Sequence, residues 1–180
     1  MPVYDEHVWL SLLNAVTAIR AIEQALIGLA PELESDFTNN AANLISEIQA
    51  LHFEFHEVVR AAPHNTLLFA DRFPFRYFVE DYGIRYYAAF TGCSAETEAS
   101  FATITFLINK VNELGLNTIM TTESPVRELA ETIRNNSEAQ NQQILALDSM
   151  QSITAADVAA GVTYLGIMRE NLNVLRQALQ

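Results

Sequence analysis

Four short apolar runs alternate with helical segments after Pro63, and this alternation limits the folds open to the chain. Each run is continuous rather than alternating, as expected of a parallel strand that is buried on both faces. Strand and helix in regular alternation indicate a parallel sheet with helices on both sides. We therefore predict an α/β fold with a four-stranded parallel sheet. The predicted strands are Thr66–Ala70, Ile84–Phe90, Asn117–Thr121 and Ile144–Leu147.

Two helices are predicted before Pro63. In the first, apolar residues recur at three- and four-residue steps from Trp9 to Leu29, with Ser11 as the N-cap. The second begins within 32–36 and runs to about Ala61, which makes it roughly 40 Å long. A helix of that length either spans two lobes or packs on a partner. We divide the chain into an N-terminal helical segment, residues 1–62, and an α/β lobe, residues 63–180.

Capping residues predict the bounds of the later helices. A glycine can take the left-handed turn that ends a helix, a serine can cap a helix start, and a proline suits the first helical position. Thr154 and Asp157 have the spacing of a capping box. The predicted helices are Pro74–Asp81 ending at Gly83, Ser100 to Gly115, Ser124–Pro125 to about Asn136, and Thr154 to about Ala178.

The charge balance excludes one class of partner. The chain carries 10 basic and 22 acidic residues, a net charge of −12, so nucleic acid and anionic membrane surfaces are not expected partners. Cys93 is the single cysteine, so no internal disulfide forms. The printed chain opens MPVYDEH, without a basic and apolar leader, and no signal sequence is expected within it.

Polar side chains follow the predicted strands, where open parallel sheets bind ligands. Asp71 and Arg72 follow the first strand and 91–98 the second, while Glu123 and Asp148 follow the third and fourth. Asp71 and Arg72 are interpreted as a local ion pair in preference to a metal site. Glu123 is a weak candidate ligand.

Several stretches resemble, in order, the zinc- and manganese-specific solute-binding proteins of ABC transporters. DEHVWLSL is similar to the family's D-P-H-V-W motif, and DRFPFRYF and GCSAETE are similar to a subgroup of zinc-binding lipoproteins. The YF…YG residues (77–83), ETEAS (96–100), LAETI (129–133), LDS (147–149) and the GVTYLGIMRENLNVLRQAL ending follow in the family's order. The resemblance covers almost the whole chain, from the family's middle to its C-terminus, without its N-terminal lobe.

The resemblance implies a zinc or manganese ion held between two lobes by imidazoles and carboxylates. The motif histidine falls on His7 and the late strand-end aspartate on Asp148. The family's third imidazole falls on Arg72, which has no acceptor and cannot ligate. Asp71 is adjacent and can substitute with a shift of one residue. The expected metal ligands in this chain are His7, Asp71 and Asp148, an incomplete set for a four-coordinate zinc site.

The remaining candidates have weaker support. His52 and His56 share one face of the long helix and can in principle hold zinc, although the family places no ligand there. Cys93 is interpreted as structural because no activating partner accompanies it. Glu98, close to the Ser100 cap, is expected to interact with the helix dipole. The chain has no glycine-rich phosphate loop, nucleophile elbow or HExxH motif, so it is not expected to be an enzyme.

Two functions are therefore compared. The first is the C-terminal part of an extracytoplasmic zinc- or manganese-binding protein that docks on an ABC permease, as the resemblance implies. The alternative is a truncated, non-transporting interaction or structural protein that dimerises through its N-terminal helices. The second follows from the apolar stripe of the first helix, which needs a cover from the absent lobe or from a second copy.

Overall fold

The structure is a computed structural model that describes residues 5–90 and 99–180. It contains a four-stranded parallel sheet in the order β2-β1-β3-β4. The strands are β1 (Thr66–Phe69), β2 (Arg85–Ala88), β3 (Thr118–Thr121) and β4 (Gln143–Ala146). The helices are α1 (Leu12–Leu29), α2 (Glu34–Ala61), α3 (Arg76–Tyr82), α4 (Phe101–Leu114), α5 (Glu128–Asn135), α6 (Ala155–Ala159) and α7 (Tyr164–Ala178).

Helices cover both faces of the sheet, which confirms the predicted fold class. β1 shows why, because its four residues are all buried and the three apolar ones alternate between two apolar clusters. Leu67 and Phe69 pack with α2, α3 and α7, whereas Leu68 packs with α4 and α5. The first cluster also takes in Leu10 and Leu12, so residues on both sides of Pro63 share one core.

The predicted caps are largely confirmed. The Ser11 and Ser100 hydroxyls each accept a hydrogen bond from a backbone amide of the first turn, at 3.0 and 3.1 Å. Gly83 and Gly115 end α3 and α4 with φ of 65° and 59°, a left-handed turn that glycine adopts at little cost. Thr154 and Asp157 form the reciprocal capping box.

Two predicted helix bounds are wrong. α5 begins at Glu128 rather than at Ser124 and Pro125. The Ser124 hydroxyl instead accepts a hydrogen bond from the amide of Val126 at 3.3 Å, a local turn that competes with helix. The predicted last helix is two helices, because Gly161 breaks it at φ 90° and Thr163 caps α7 anew.

α1 contributes little to the core. Of its residues only Leu12 is buried, while Leu13, Ile22, Leu26 and Leu29 are exposed. By length and composition alone, with a mean hydropathy of 1.3, α1 is apolar enough to cross a membrane. The same length and composition also suit a helix that packs against another protein surface. Composition therefore does not distinguish a membrane-spanning helix from a helix covered by protein.

Candidate functional site

The parallel strands bring the predicted polar residues to one edge of the sheet. A cleft of about 510 Å³ opens there, beyond the carboxyl ends of β1, β3 and β4. Open α/β sheets bind ligands at this edge. The cleft is lined by Asp71, Arg72, Pro74, Thr122, Glu123, Ser124, Pro125, Ser149, Gln151 and Ser152.

Asp71 joins the β1 loop to the β3 loop. One carboxylate oxygen accepts hydrogen bonds from the amide of Thr122 at 3.0 Å and from its hydroxyl at 2.6 Å. The other oxygen accepts from the amide of Arg72 at 2.7 Å. Three donors therefore fix the carboxylate in the cleft wall. The oxygen that accepts from Arg72 keeps a second lone pair with which it can still reach a cation.

Glu123 joins the β3 loop to the β4 loop, a role that the sequence reading missed. Its carboxylate accepts from the amide and the hydroxyl of Ser149, both at 2.9 Å, and from the hydroxyl of Ser152 at 3.2 Å. Burial raises the pKa of Glu123, but the hydrogen bonds from Ser149 and Ser152 outweigh it, and the pKa is lowered overall. Glu123 is thus an ionised brace for residues 149–152.

The pKa of Asp148 is raised, whereas that of Glu123 is lowered. Burial raises the pKa of Asp148, the hydrogen bond from the amide of Met150 at 2.7 Å opposes the rise, and the negative charge of Glu123 adds to it. Asn171 holds the backbone on both sides, accepting from the Asp148 amide at 2.8 Å and donating to its carbonyl at 2.9 Å. A half-buried carboxylate destabilised by a second one gains free energy when a cation arrives.

His7 is buried, with 1% of its surface exposed. Its Nδ1 lies 2.6 Å from a carboxylate oxygen of Asp5, so a metal would bind at Nε2. A carboxylate on the second ring nitrogen is the usual way in which proteins orient a metal-binding imidazole. Within the described chain, Asp5, Glu6 and His7 form the one group of three metal-ligating side chains whose ligand atoms lie within 4.8 Å of each other.

Hydrogen bonds hold the segment of His7 against the loop of Asp148. The Trp9 indole donates to the carbonyl of Ser149 at 3.1 Å, and the Trp9 ring lies 5.4 Å from that of His7. The Tyr77 hydroxyl donates to the carbonyl of Asp5 at 3.2 Å. In the sequence, the signal for an oriented His7 is Asp5, two residues before it, in the DEHVW stretch. Cys93, Glu96 and Glu98 lie outside the described residues.

The fold and the acidic cleft at the carboxyl ends of the strands define an α/β ligand-binding lobe, with His7 and Asp148 outside the residues that line the cleft. The chain belongs to the family described as the zinc-uptake complex component A, periplasmic, whose model matches residues 3–178. The resemblance noted in the sequence is thereby confirmed. The family is a zinc-binding component of transport, in agreement with the main function predicted.

Curated relatives extend the same finding. The zinc-binding lipoprotein AdcA of Streptococcus pneumoniae is 29% identical over 174 residues, which are 97% of this chain and 34% of AdcA. The high-affinity zinc uptake system protein ZnuA of Bacillus subtilis is 22% identical, over 97% of this chain and 53% of that protein. The chain thus spans about a third to a half of the length of these relatives.

Solved structures show the same fold. The Zn(II)-bound ZnuA-like domain of Streptococcus pneumoniae AdcA matches 98% of this chain and 64% of that domain, with a TM-score of 0.78 and 28% identity. The laminin-binding protein Lmb of Streptococcus agalactiae, described as an adhesin with metal-transporting activity, has a TM-score of 0.83. At 22% identity, that second likeness shows the fold alone.

Glu123 gives a prediction for pH dependence. Because its pKa is lower in the folded protein, its contribution to stability is present at neutral pH and is lost as the pH falls through the folded pKa. We expect Glu123→Gln to lower the melting temperature at pH 7, by an amount that shrinks as the pH approaches 3. Melting curves across this range check it, with the exposed Glu138→Gln as matched control. A deficit that is equal at all pH values would contradict the ionised brace.

Proposed function

We propose that this chain is the C-terminal lobe of an extracytoplasmic zinc-binding protein that delivers its ion to an ABC permease. His7, Asp71 and Asp148 are the proposed ligands, and zinc or manganese is the cargo. The observation that carries the proposal is the buried His7 imidazole, oriented by Asp5 and held beside the loop of Asp148. No covalent step is involved, so the proposed role is binding rather than catalysis.

The ligand set fits a borderline-soft divalent cation. Imidazole nitrogen suits zinc, and carboxylate oxygen suits both zinc and manganese. The raised pKa of Asp148 and its repulsion by Glu123 are relieved by a positive charge between them. Arg72 supplies no ligand, so water or a further residue must complete the coordination.

Calorimetric titration tests the proposal. Zinc is expected to bind with a dissociation constant of about micromolar or tighter, and magnesium, which prefers oxygen ligands and keeps its water, is the control that should not bind in this range. Displacement of zinc by manganese then ranks the two candidate cargoes. Absence of zinc binding below about micromolar concentration overturns the proposal.

The exposed face of α1 supports the two-lobed part of the proposal. Its apolar side chains include Leu13, Ile22, Leu26 and Leu29, all of which are exposed. We propose that the α1 face packs on a second lobe, because this chain matches only 64% of the solved ZnuA-like domain. The remaining third of that domain has no counterpart in this chain.

Light scattering distinguishes packing of the α1 face on a second lobe from packing on a second copy of the chain. On its own, the chain is expected to be monomeric and to bind a hydrophobic dye, and Leu26→Glu should reduce the dye signal. Leu26 is 38% exposed on the apolar face, so the substitution removes apolar surface without opening the core. A stable dimer that Leu26→Glu dissociates would favour the alternative function instead.

A further inference from the structure

A second cluster of polar side chains lies on α2 and α3, and none of its members is among the proposed ligands. His52 and His56 are one helical turn apart on α2, with ring centres 4.8 Å from each other. The ring of Tyr82 lies 5.3 Å from that of His52 and 5.2 Å from that of His56. Asp81, the residue before Tyr82, interacts electrostatically with both imidazoles.

We propose that His52 and His56 form a second zinc site, separate from the cleft at the strand ends. The two imidazoles are the protein ligands, and water completes the coordination. A zinc ion held by two imidazole nitrogens at about 2.0–2.1 Å in tetrahedral geometry places the ring centres about 5 Å apart. The observed separation of 4.8 Å matches this spacing.

Tyr82 supplies the orientation that a metal-binding imidazole requires. The Nδ1 of His52 lies 3.0 Å from the Tyr82 hydroxyl, so the His52 ligand atom is Nε2. Burial raises the pKa of the Tyr82 hydroxyl strongly, and it remains neutral at any pH at which zinc binds. A polar group on the second ring nitrogen holds the imidazole in place, as partners of metal-bound histidines commonly do.

The electrostatics of the cluster also favour a cation. Asp81 interacts electrostatically with both imidazoles, and its Oδ2 is buried without a hydrogen-bond partner. Glu57, the other acid near His56, is engaged by Arg60 at 2.6 Å.

The experiment separates this site from the cleft by working in an Asp148→Asn background. There, zinc titration is expected to retain one binding event per chain, weaker than the cleft site of the unmodified protein. Adding His56→Ala should weaken that event at least about tenfold, because one of two protein ligands is lost. His64→Ala is the matched control, since His64 is equally a solvent-exposed histidine but lies in the loop after α2.

A second readout identifies the ligands directly. In proton NMR spectra, the imidazole resonances of His52 and His56 are expected to shift or broaden on zinc addition while those of His64 do not. His56 is exposed, so His56→Ala should leave the fold intact, as circular dichroism can verify. Unchanged zinc binding in His56→Ala, or equal shifts at all three histidines, overturns the proposal. Neither outcome bears on the first zinc site. Loss of zinc binding at that site is measured separately, by comparing Asp148→Asn with the unmodified chain.

Discussion

Asp148→Asn is expected to weaken zinc binding at the proposed site of His7, Asp71 and Asp148 by more than about 100-fold, beyond the 10–100-fold typical of losing a residue that only orients a ligand. The substitution preserves the shape and the Oδ1 that accepts from the amide of Met150. It removes only the charge and one strong ligand oxygen. Calorimetric titration measures the change, with the exposed Asp36→Asn, which alters the net charge equally, as control.

The same variant separates binding from folding. Because burial raises the pKa of Asp148, its ionised form opposes folding at neutral pH, and this penalty vanishes as the pH falls through the folded pKa. Without zinc, Asp148→Asn should therefore melt at a slightly higher temperature than the unmodified chain at pH 7, and the two should converge in acid. A variant that loses both zinc affinity and stability would indicate a structural role for Asp148.

Local signals carried much of the fold prediction. Ser11, Gly83, Gly115 and the Thr154 capping box each act on a backbone within a few residues of themselves, so the sequence contains the whole interaction. The strands were predictable for a related reason. Their continuous apolar runs reflect burial on both faces, which any parallel sheet with helices on both sides imposes.

The errors arose where one local signal competed with another. Ser124 and Pro125 resemble a helix start, but the Ser124 hydroxyl makes a shorter turn with Val126 and both residues line the cleft. Within 154–178 the apolar pattern persists across Gly161, whose left-handed backbone ends α6. The spacing of apolar residues shows which face of a helix is buried. It does not reveal a break when the next helix buries its apolar face on the same side.

The cleft was predictable in outline only. Strand order places the loops of β1, β3 and β4 side by side, so the positions of Asp71 and Asp148 follow from topology. The role of Glu123 depends on contacts with Ser149 and Ser152, more than twenty residues away, and no local pattern encodes them. The difference between a candidate ligand and a brace is therefore a tertiary property.

Phe55→Ala is expected to cost about 3–5 kcal/mol of the free energy of unfolding. Phe55 is fully buried and connects α2 to α3. Its ring stacks on Tyr82 at 5.2 Å and meets the edge of Phe78 at 5.3 Å. Removing it leaves a cavity between two rings that no neighbouring side chain can fill without moving a helix. Urea unfolding, followed by circular dichroism, measures the loss.

Phe53 provides the matched control on the same helix. It is two residues away and 64% exposed, so Phe53→Ala should change stability by less than about 0.5 kcal/mol. If zinc binds only the folded chain, saturating zinc should raise the stability of Phe55→Ala and of the unmodified chain by the same amount, provided that the cleft is intact. A smaller zinc effect in Phe55→Ala would show that packing of α3 on α2 also supports zinc binding. Equal costs for the two phenylalanines would refute the assigned core.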